Sequence, residues 1–385
     1  MVANTDTLTT EILSKEALSK EAVSTRALGT GCRVMIMAGG TGGHVFPALA
    51  VADQLRAANA SVAWLGTQRG IESDLVPAAG IVLNCIDIEG IRGRGLSALL
   101  KAPLLLWRSI RQASTVLSDF QPQVVLGMGG FASGPGAVAA RLKGIPIVIH
   151  EQNSVAGTTN KLVSRIAQRV MQGFPNVFAK GEWCGNPVRP SIANLAAPQQ
   201  RLAGREGPAR LLVLGGSRGA LAINKLLPAA LALIEPSQRP QVRHQTGKLH
   251  CDETQTLYAA AGVSAEVVPF IAEMDQAYGW ADFAICRAGA LTVAELTSAG
   301  LGSLLIPFPF AIDDHQTVNG QLLVDQGAAL MQAQDDLTAA SLAEQISAIC
   351  GDSERRLQMA INARKLAKAG AAERVADVCL ELAHD

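Results

Sequence analysis

The sequence has little of what several classes of protein require. Of its 385 residues only 4% are aromatic, and Lys+Arg and Asp+Glu number 33 each, which leaves no formal net charge. A nucleic-acid-binding surface normally needs a basic excess and aromatic rings for base stacking, so no nucleic acid is expected as a partner. No apolar run reaches the roughly 18 residues that span a bilayer, and the N-terminus lacks the apolar core of a secretory signal, so neither feature is expected.

Paired cysteines and obvious metal motifs are also missing. The seven cysteines are scattered along the chain without a Cys-x-x-Cys pair. That pattern is typical of reduced thiols in a cytosolic protein and not of a disulfide framework or a zinc site. Asp313 and Asp314 are adjacent and do not form an Asp-x-Asp motif. Neither a bound metal nor a cofactor is therefore expected.

Glycine and apolar residues are abundant, with 37 glycines and 49% hydrophobic residues, which excludes a disordered chain. From Arg33 onward, short apolar runs alternate with helical patterns. This alternation predicts an α/β fold of βαβ units with buried parallel strands. The predicted strands form two sets of six, at 34–37, 62–65, 82–86, 124–126, 145–149 and 169–171, and then at 211–214, 242–245, 266–268, 283–286, 303–306 and 328–331.

Two sets of strands predict two Rossmann-like domains. The prolines of segment 185–190 forbid a continuous helix and mark the boundary, so we predict domains at 32–187 and 188–355. Residues 1–31 contain a short polar tandem repeat and are predicted to be a flexible extension. Residues 356–385 are predicted to form a helix that either completes the second domain or crosses back to the first.

The first predicted strand ends in a turn with four glycines in five positions, at 39–43. The turn lacks both the strict Gly-x-Gly-x-x-Gly dinucleotide signature and the Gly-Lys-Ser/Thr of a P-loop. Because a tight turn alone does not need four glycines, we interpret this one as a place where a ligand approaches the backbone. Free amides and the helix dipole there favour a phosphate or another oxyanion.

His44 stands at the start of the helix that follows this turn. A helix N-terminus disfavours the imidazolium, so the ring is expected to stay neutral near pH 7, where it can serve as a general base. On position alone, a capping or packing role explains His44 equally well.

Other polar loops follow predicted strands and therefore belong to the carboxyl edge of a sheet, where ligands bind in open α/β folds. They include a second glycine-rich segment at 127–136, the polar segment 150–153 and a third glycine turn at 215–217. Ser217 is placed to donate to a phosphate. Glu295 lies just inside a helix and can accept both hydroxyls of a ribose, although favourable charge at a helix N-terminus is the simpler explanation of this residue alone.

Six segments, in order and spacing, resemble the MurG family of bacterial UDP-N-acetylglucosamine transferases. They are 39–50, 127–136, 150–153, 185–189, 215–217 and 289–295. The resemblance covers nearly the whole chain from Arg33 and implies a GT-B fold, in which two Rossmann-like domains with parallel sheets face each other across a cleft. It also implies an inverting transfer of N-acetylglucosamine from UDP-GlcNAc to the 4-hydroxyl of the MurNAc unit of lipid I (undecaprenyl-diphospho-MurNAc-pentapeptide), which gives lipid II for peptidoglycan synthesis.

The resemblance further implies roles for individual residues. His44 would be the catalytic base, and Arg218 and His315 depart from the family pattern. The other implied residues bind substrate. In the nucleotide site, Ser217 would contact the diphosphate, Glu295 the ribose and the backbone of Ile271 the uracil, with Arg189 in the same site and Thr292, Val293 and Ala294 beside Glu295. The sugar would be held by Asn153, Gln316, Ala290 and Leu291, and the diphosphates would lie near Thr41, Gly42 and Gly43 where the domains meet.

A basic and apolar segment runs from Ile91 to Arg111 and contains Pro103 and Trp107. Such a surface can lie among lipid headgroups and attract an anionic membrane. The alternative is a core helix with a basic rim, but Pro103 argues against a straight core helix. The lipid-linked acceptor implies a peripheral enzyme on the cytoplasmic face of the bacterial inner membrane, with cell-wall and division proteins as further partners.

Two other functions stay open at this point. One is a different GT-B activity, such as a UDP-N-acetylglucosamine 2-epimerase or another lipid glycosyltransferase. The second is a catalytically inactive scaffold that binds a sugar nucleotide. An epimerase needs no membrane patch and would act without an acceptor, whereas a scaffold would have no need of His44, Asn153 and Glu295 together.

Overall fold

A computed structural model describes residues 31–88, 95–216 and 219–384 of the chain, and these residues form two parallel sheets. The strands of the first sheet are β1 (Arg33–Ala38), β2 (Ser61–Gly66), β3 (Val82–Cys85), β4 (Val124–Gly129), β5 (Ile147–Glu151), β6 (Arg169–Gln172) and β7 (Glu182–Trp183). Those of the second are β8 (Arg210–Leu214), β9 (Gln241–Gln245), β10 (Glu266–Val268), β11 (Phe283–Cys286), β12 (Ser303–Leu305) and β13 (Ala329–Met331).

Helices connect the strands. The α-helices are α1 (Gly42–Ala57), α2 (Glu72–Ala78), α3 (Gly95–Phe120), α4 (Ser133–Leu142), α5 (Thr158–Val163), α6 (Pro190–Ala193), α7 (Pro198–Arg201), α8 (Leu221–Ala232), α9 (Cys251–Ala260), α10 (Met274–Trp280), α11 (Ala290–Ala299), α12 (His315–Asp325), α13 (Ala339–Cys350), α14 (Ser353–Lys365) and α15 (Ala371–His384). Short 3-10 turns lie at Pro236–Gln238, Ile312–Asp314 and Gln334–Asp336. None of the helices in the described part of the chain has the length and apolar character of a membrane span.

The order of the strands in each sheet determines which loops lie next to each other at its carboxyl edge. It is β3-β2-β1-β4-β5-β6-β7 in the first sheet and β10-β9-β8-β11-β12-β13 in the second. In both, the order reverses between the first strand and its later neighbour, at β1/β4 and at β8/β11. Ligands of open α/β sheets bind in the crevice beyond the carboxyl ends of such strands. The glycine turns after β1, β4 and β8 lie beside these two switch points.

The α/β fold with two Rossmann-like domains is confirmed, and all twelve predicted strands are present. The strands read as continuous apolar runs because helices cover both faces of each sheet, so that nearly all of β1 and all of β11 are buried. Strand β7 is an addition that the periodicity did not indicate, since its two residues are too few to make a pattern.

The C-terminal segment forms two helices where the sequence pattern predicted one. Helix α14 ends at Lys365, and Gly370, with φ of +75°, precedes α15. Helix α15 packs against α1 and joins the core of the first sheet through Val375 and Leu380. Arg374 of α15 donates to Glu182 of β7 at 2.6 Å. The last helix therefore covers the first domain.

Candidate active site

The two glycine-rich turns of the first domain touch each other. Gly130 has φ of +87°, and a Cβ at this position would collide with the carbonyl oxygen of Gly39. Gly129 has φ of +98°, and a Cβ there would lie 2.8 Å from Cδ2 of His44. Only glycine permits this approach. The turn after β4 therefore forms the surface against which the His44 ring lies.

His44 does not cap its helix. The N-cap of α1 is Thr41, whose Oγ1 lies 3.4 Å from Nδ1 of His44. Burial lowers the pKa of His44, and the carboxylates of Glu151 and Glu72 act in the opposite direction. The net shift is downward, so the ring is neutral at pH 7 and its free ring nitrogen can accept a proton. This geometry removes the capping role that the sequence left open.

A buried carboxylate that the sequence analysis missed holds the first glycine turn. Glu72 at the start of α2 has no solvent exposure and accepts from the backbone N–H of Gly40 at 2.9 Å. Its other oxygen accepts from the N–H of Thr67 at 3.1 Å and from the hydroxyl of Thr67 at 2.7 Å. No motif marks Glu72, because its role arises only when α2 packs under the turn.

Asn153 is held by the residues around it. Its backbone N–H donates to Glu151 at 2.9 Å, and Glu151 also accepts from Asn160 at 2.9 Å. Asn319 of α12 reaches across from the second domain and accepts from both the N–H and the hydroxyl of Ser154, at 2.9 and 2.7 Å. Asn160 and Asn319 were also missed, since an asparagine on a helix carries no signal of its partner.

His150 and Glu151, expected in the polar loop, are the last buried residues of β5. Nε2 of His150 lies 2.9 Å from the carbonyl oxygen of Gly185, and its Nδ1 lies 3.1 Å from the side-chain amide of Gln152. The amide donates to Nδ1, so Nε2 carries the proton and donates to Gly185. Burial lowers the pKa of His150 to about 4. His150 therefore holds the segment between the domains and is not a free base.

Glu295 lies in the second turn of α11, not in the first as expected, because the helix begins at Ala290. Helix-dipole stabilisation, which fades after the first turn, therefore does not explain it. Arg189 donates to Oε1 of Glu295 at 3.3 Å, and the hydroxyl of Tyr278 donates to Oε2 at 3.0 Å. Burial raises the pKa of Glu295, and Arg189 opposes that shift. The Arg189 guanidinium also lies 5.7 Å from the ring centroid of Phe46 on α1.

Comparisons with known proteins agree with this geometry. Residues 34–172 match the glycosyltransferase family 28 N-terminal domain, and residues 210–380 match the family 28 C-terminal domain. A UDP-N-acetylglucosamine–N-acetylmuramyl-(pentapeptide) pyrophosphoryl-undecaprenol N-acetylglucosamine transferase of Pseudomonas fluorescens is 53% identical over 357 residues, which cover 92% of this chain and 99% of the relative. The transferase of the same name from Cellvibrio japonicus is 55% identical, over 91% of this chain and 98% of its own length. The chain belongs to the MurG family.

A solved structure of a member of that family, MurG of Acinetobacter baumannii, superposes with a TM-score of 0.78 at 39% identity, covering 91% of this chain and 99% of the other. The GT-B fold that the sequence implied is thus confirmed, as is the classification of the chain as a glycosyltransferase. Among the described residues, no three His, Cys, Asp or Glu side chains are arranged to hold a metal ion.

The remaining donor-side residues that the MurG resemblance implied lie in the second domain, Ile271 on a loop and the other described ones on helices α11 and α12. Ile271 follows β10 and is partly buried. Ala290 and Val293 are buried in the core of the second domain, so these residues can meet a ligand only through their backbone. Oε1 of Gln316 accepts from the backbone N–H of Phe308 at 3.0 Å, which orients its amide. Ser217 and Arg218 lie outside the described residues.

The other residues that the resemblance implied lie on α11 and at the start of α1. Leu291, Thr292 and Ala294 are partly exposed on α11. Gly42 and Gly43 form the first turn of α1, whose leading amides have no partner within the helix. N–H groups at the start of a helix favour the binding of an anion.

Proposed function

We propose that this chain transfers N-acetylglucosamine from UDP-GlcNAc to the 4-hydroxyl of the MurNAc unit of lipid I, giving lipid II for peptidoglycan synthesis. The relatives named above carry that activity in their names. The observation that carries the proposal is the neutral His44 ring at the junction of two glycine turns, on the helix whose Phe46 ring lies beside Arg189, the ion-pair partner of Glu295. This arrangement brings a base and an anion-binding turn close to a site suited to a nucleoside.

The reaction needs two contributions from the protein. The donor linkage is α and the product linkage is β, so one in-line displacement with inversion is sufficient. His44 removes the proton from the attacking hydroxyl as the bond to the sugar forms. The amides at the start of α1 stabilise the negative charge that develops on the departing UDP. Glu295 receives the ribose, and Asn153 and Gln316 hold the transferred sugar.

The acceptor carries a polyprenyl chain, and α3 offers a surface for a membrane. Of the predicted segment 91–111, Arg92 and Arg94 lie outside the described residues, as do the side chains up to Lys101. From Leu104 to Trp107, four consecutive apolar side chains are exposed by 45 to 68%. Arg111 lies 4.9 Å from the ring centroid of Trp107. A core helix with a basic rim does not account for four exposed apolar residues in a row, so we propose that this surface binds the anionic cytoplasmic face of the inner membrane.

Membrane binding can be tested by removing the apolar part of this surface. The double substitution Leu104→Ser with Trp107→Ser is expected to weaken binding to phosphatidylcholine–phosphatidylglycerol vesicles about tenfold, because both side chains would lose their burial in the headgroup region. Leu249→Ser is the matched control, since Leu249 is 88% exposed but belongs to the second domain. Sedimentation with vesicles measures both variants. If the double variant and the wild type bound vesicles equally, the proposal that α3 binds the membrane would be wrong.

Transfer of labelled N-acetylglucosamine from UDP to a short-chain lipid I analogue tests the function itself, with and without EDTA. A β-1,4-linked product is the expected result, and EDTA is expected to leave the rate unchanged. Release of a UDP-sugar epimer without acceptor would identify an epimerase instead. Donor binding by calorimetry without transfer to any acceptor would identify a scaffold.

A further inference from the structure

We propose that Tyr278 is a positioning residue that sets donor specificity by orienting Glu295 toward the two hydroxyls of the ribose. The inference rests on the proposed function, in which the donor is a ribonucleoside diphosphate sugar and Glu295 binds its ribose. Tyr278 lies on α10, fully buried, and its hydroxyl donates to Oε2 of Glu295 at 3.0 Å. It does not line the cleft, and it acts through the carboxylate.

The hydrogen bonds to Glu295 leave it suited to a vicinal diol. A carboxylate has about four acceptor positions, two on each oxygen. Arg189 uses one on Oε1, and Tyr278 uses one on Oε2. Each oxygen therefore keeps one acceptor position, and a ribose offers two neighbouring hydroxyl donors.

Both donors are needed to hold that orientation. The last torsion of a glutamate side chain is broad and roughly two-fold, so an unrestrained carboxylate rotates. One donor on each oxygen fixes the plane of the group. If the Tyr278 hydroxyl is removed, Glu295 keeps its bond to Arg189 but loses the restraint on Oε2. The 2′-hydroxyl and the 3′-hydroxyl would then be bound less selectively.

The ring of Tyr278 is held independently of its hydroxyl. Its backbone carbonyl accepts from Arg201 at 3.0 Å, and the side chain belongs to a core cluster that includes Val293 and Leu296. Tyr278→Phe therefore removes one hydrogen bond and leaves the packing in place.

The chain supplies a matched control. Its only other tyrosine, Tyr258, is also buried in the second domain, and its hydroxyl lies 3.0 Å from Nδ1 of His244. Tyr258 belongs to a different core cluster from that of Tyr278. Tyr258→Phe thus removes an equally buried hydroxyl without touching the carboxylate.

The test compares UDP with 2′-deoxy-UDP as ligands of the full-length protein, by calorimetry, and then the two corresponding N-acetylglucosamine donors in the transfer assay. The wild type is expected to prefer UDP, and Tyr278→Phe to reduce that preference about tenfold, as for the loss of a hydrogen bond to a charged group. In the assay the loss should appear in KM and not in kcat. Tyr258→Phe should keep the wild-type preference.

Two results would overturn the inference. One is a Tyr278→Phe variant that keeps the wild-type preference while its melting temperature falls as far as that of Tyr258→Phe, which is the behaviour of a purely structural hydroxyl. The other is a wild type that binds UDP and 2′-deoxy-UDP equally. Because both are read from binding, a protein that discriminates the nucleotides but transfers no sugar would contradict the proposed function and leave this inference supported.

Discussion

Replacement of His44 by alanine is expected to lower kcat by about 10²–10⁴-fold, the range that a positioned general base contributes, and to leave the KM for UDP-GlcNAc nearly unchanged. The reason is that, in the proposed function, the ring acts on the acceptor hydroxyl in the transition state, whereas most of the proposed contacts to the nucleotide come from the second domain. Steady-state kinetics with the lipid I analogue measures both parameters. His44→Gln, which keeps a polar side chain but cannot take up the proton, should be as slow as the alanine variant.

The pH profile supplies a second measurement on the same residue. A base acts in its neutral form, so kcat should rise with pH through the pKa of His44 and then stay level. Burial lowers that pKa below its ordinary value of 6.5, so the rise should lie below pH 6.5, with no further gain above neutrality. If His44→Ala strongly weakened UDP-GlcNAc binding and kept kcat at saturating donor, His44 would be a ligand of the donor and not a base.

The fold could be predicted from the sequence because periodicity is a local property. Buried parallel strands read as short apolar runs, and each run from β1 to β13 except β7 was visible in this way. The meeting of the glycine turns could also be predicted, because the carboxyl ends of parallel strands share one edge of the sheet. The close approach of Gly130 to Gly39 agrees with that prediction. The roles assigned to the site residues remain predictions.

The partners of the site residues could not be predicted, because they come from packing. Glu72 lies on a short helix whose sequence carries no motif, yet it holds Gly40. Tyr278 belongs to α10, and its bond to Glu295 exists only because α10 packs against α11. Asn319 reaches Ser154 from the other domain. Each pair joins residues of different helices, strands or loops. A single sequence contains no pattern that indicates which of these elements will pack together.

Gly129 offers a test of whether the ring of His44 must lie where the structure has it. A methyl group at Gly129 would come within 2.8 Å of Cδ2 and 2.9 Å of Nε2 of His44, so Gly129→Ala should push the ring from its position. Misplacement of a catalytic group by about 1 Å can cost 10²-fold, and we expect a fall in kcat of about that size.

The strain of alanine at positive φ must be separated from this displacement. Gly129 has φ of +98°, and several other glycines also have positive φ but nothing within 4 Å of an added Cβ. Two of them serve as controls, Gly144 at +73° in the first domain and Gly207 at +85° near the start of the second sheet. Alanine at either control position should lower the melting temperature, because a left-handed conformation costs about 1–2 kcal/mol for such a residue, and should leave kcat unchanged.

A double substitution then shows whether the effect passes through the imidazole. If Gly129→Ala acts by displacing His44, it should lower kcat no further in a His44→Ala background, because the group that it displaces is already gone. Additive losses in the double variant would mean that the methyl group disturbs the glycine turns or the acceptor itself. A loss of kcat in Gly144→Ala as large as in Gly129→Ala would assign the effect to backbone strain. The Gly129→Ala result would then give no support for a catalytic role of the position of the His44 ring.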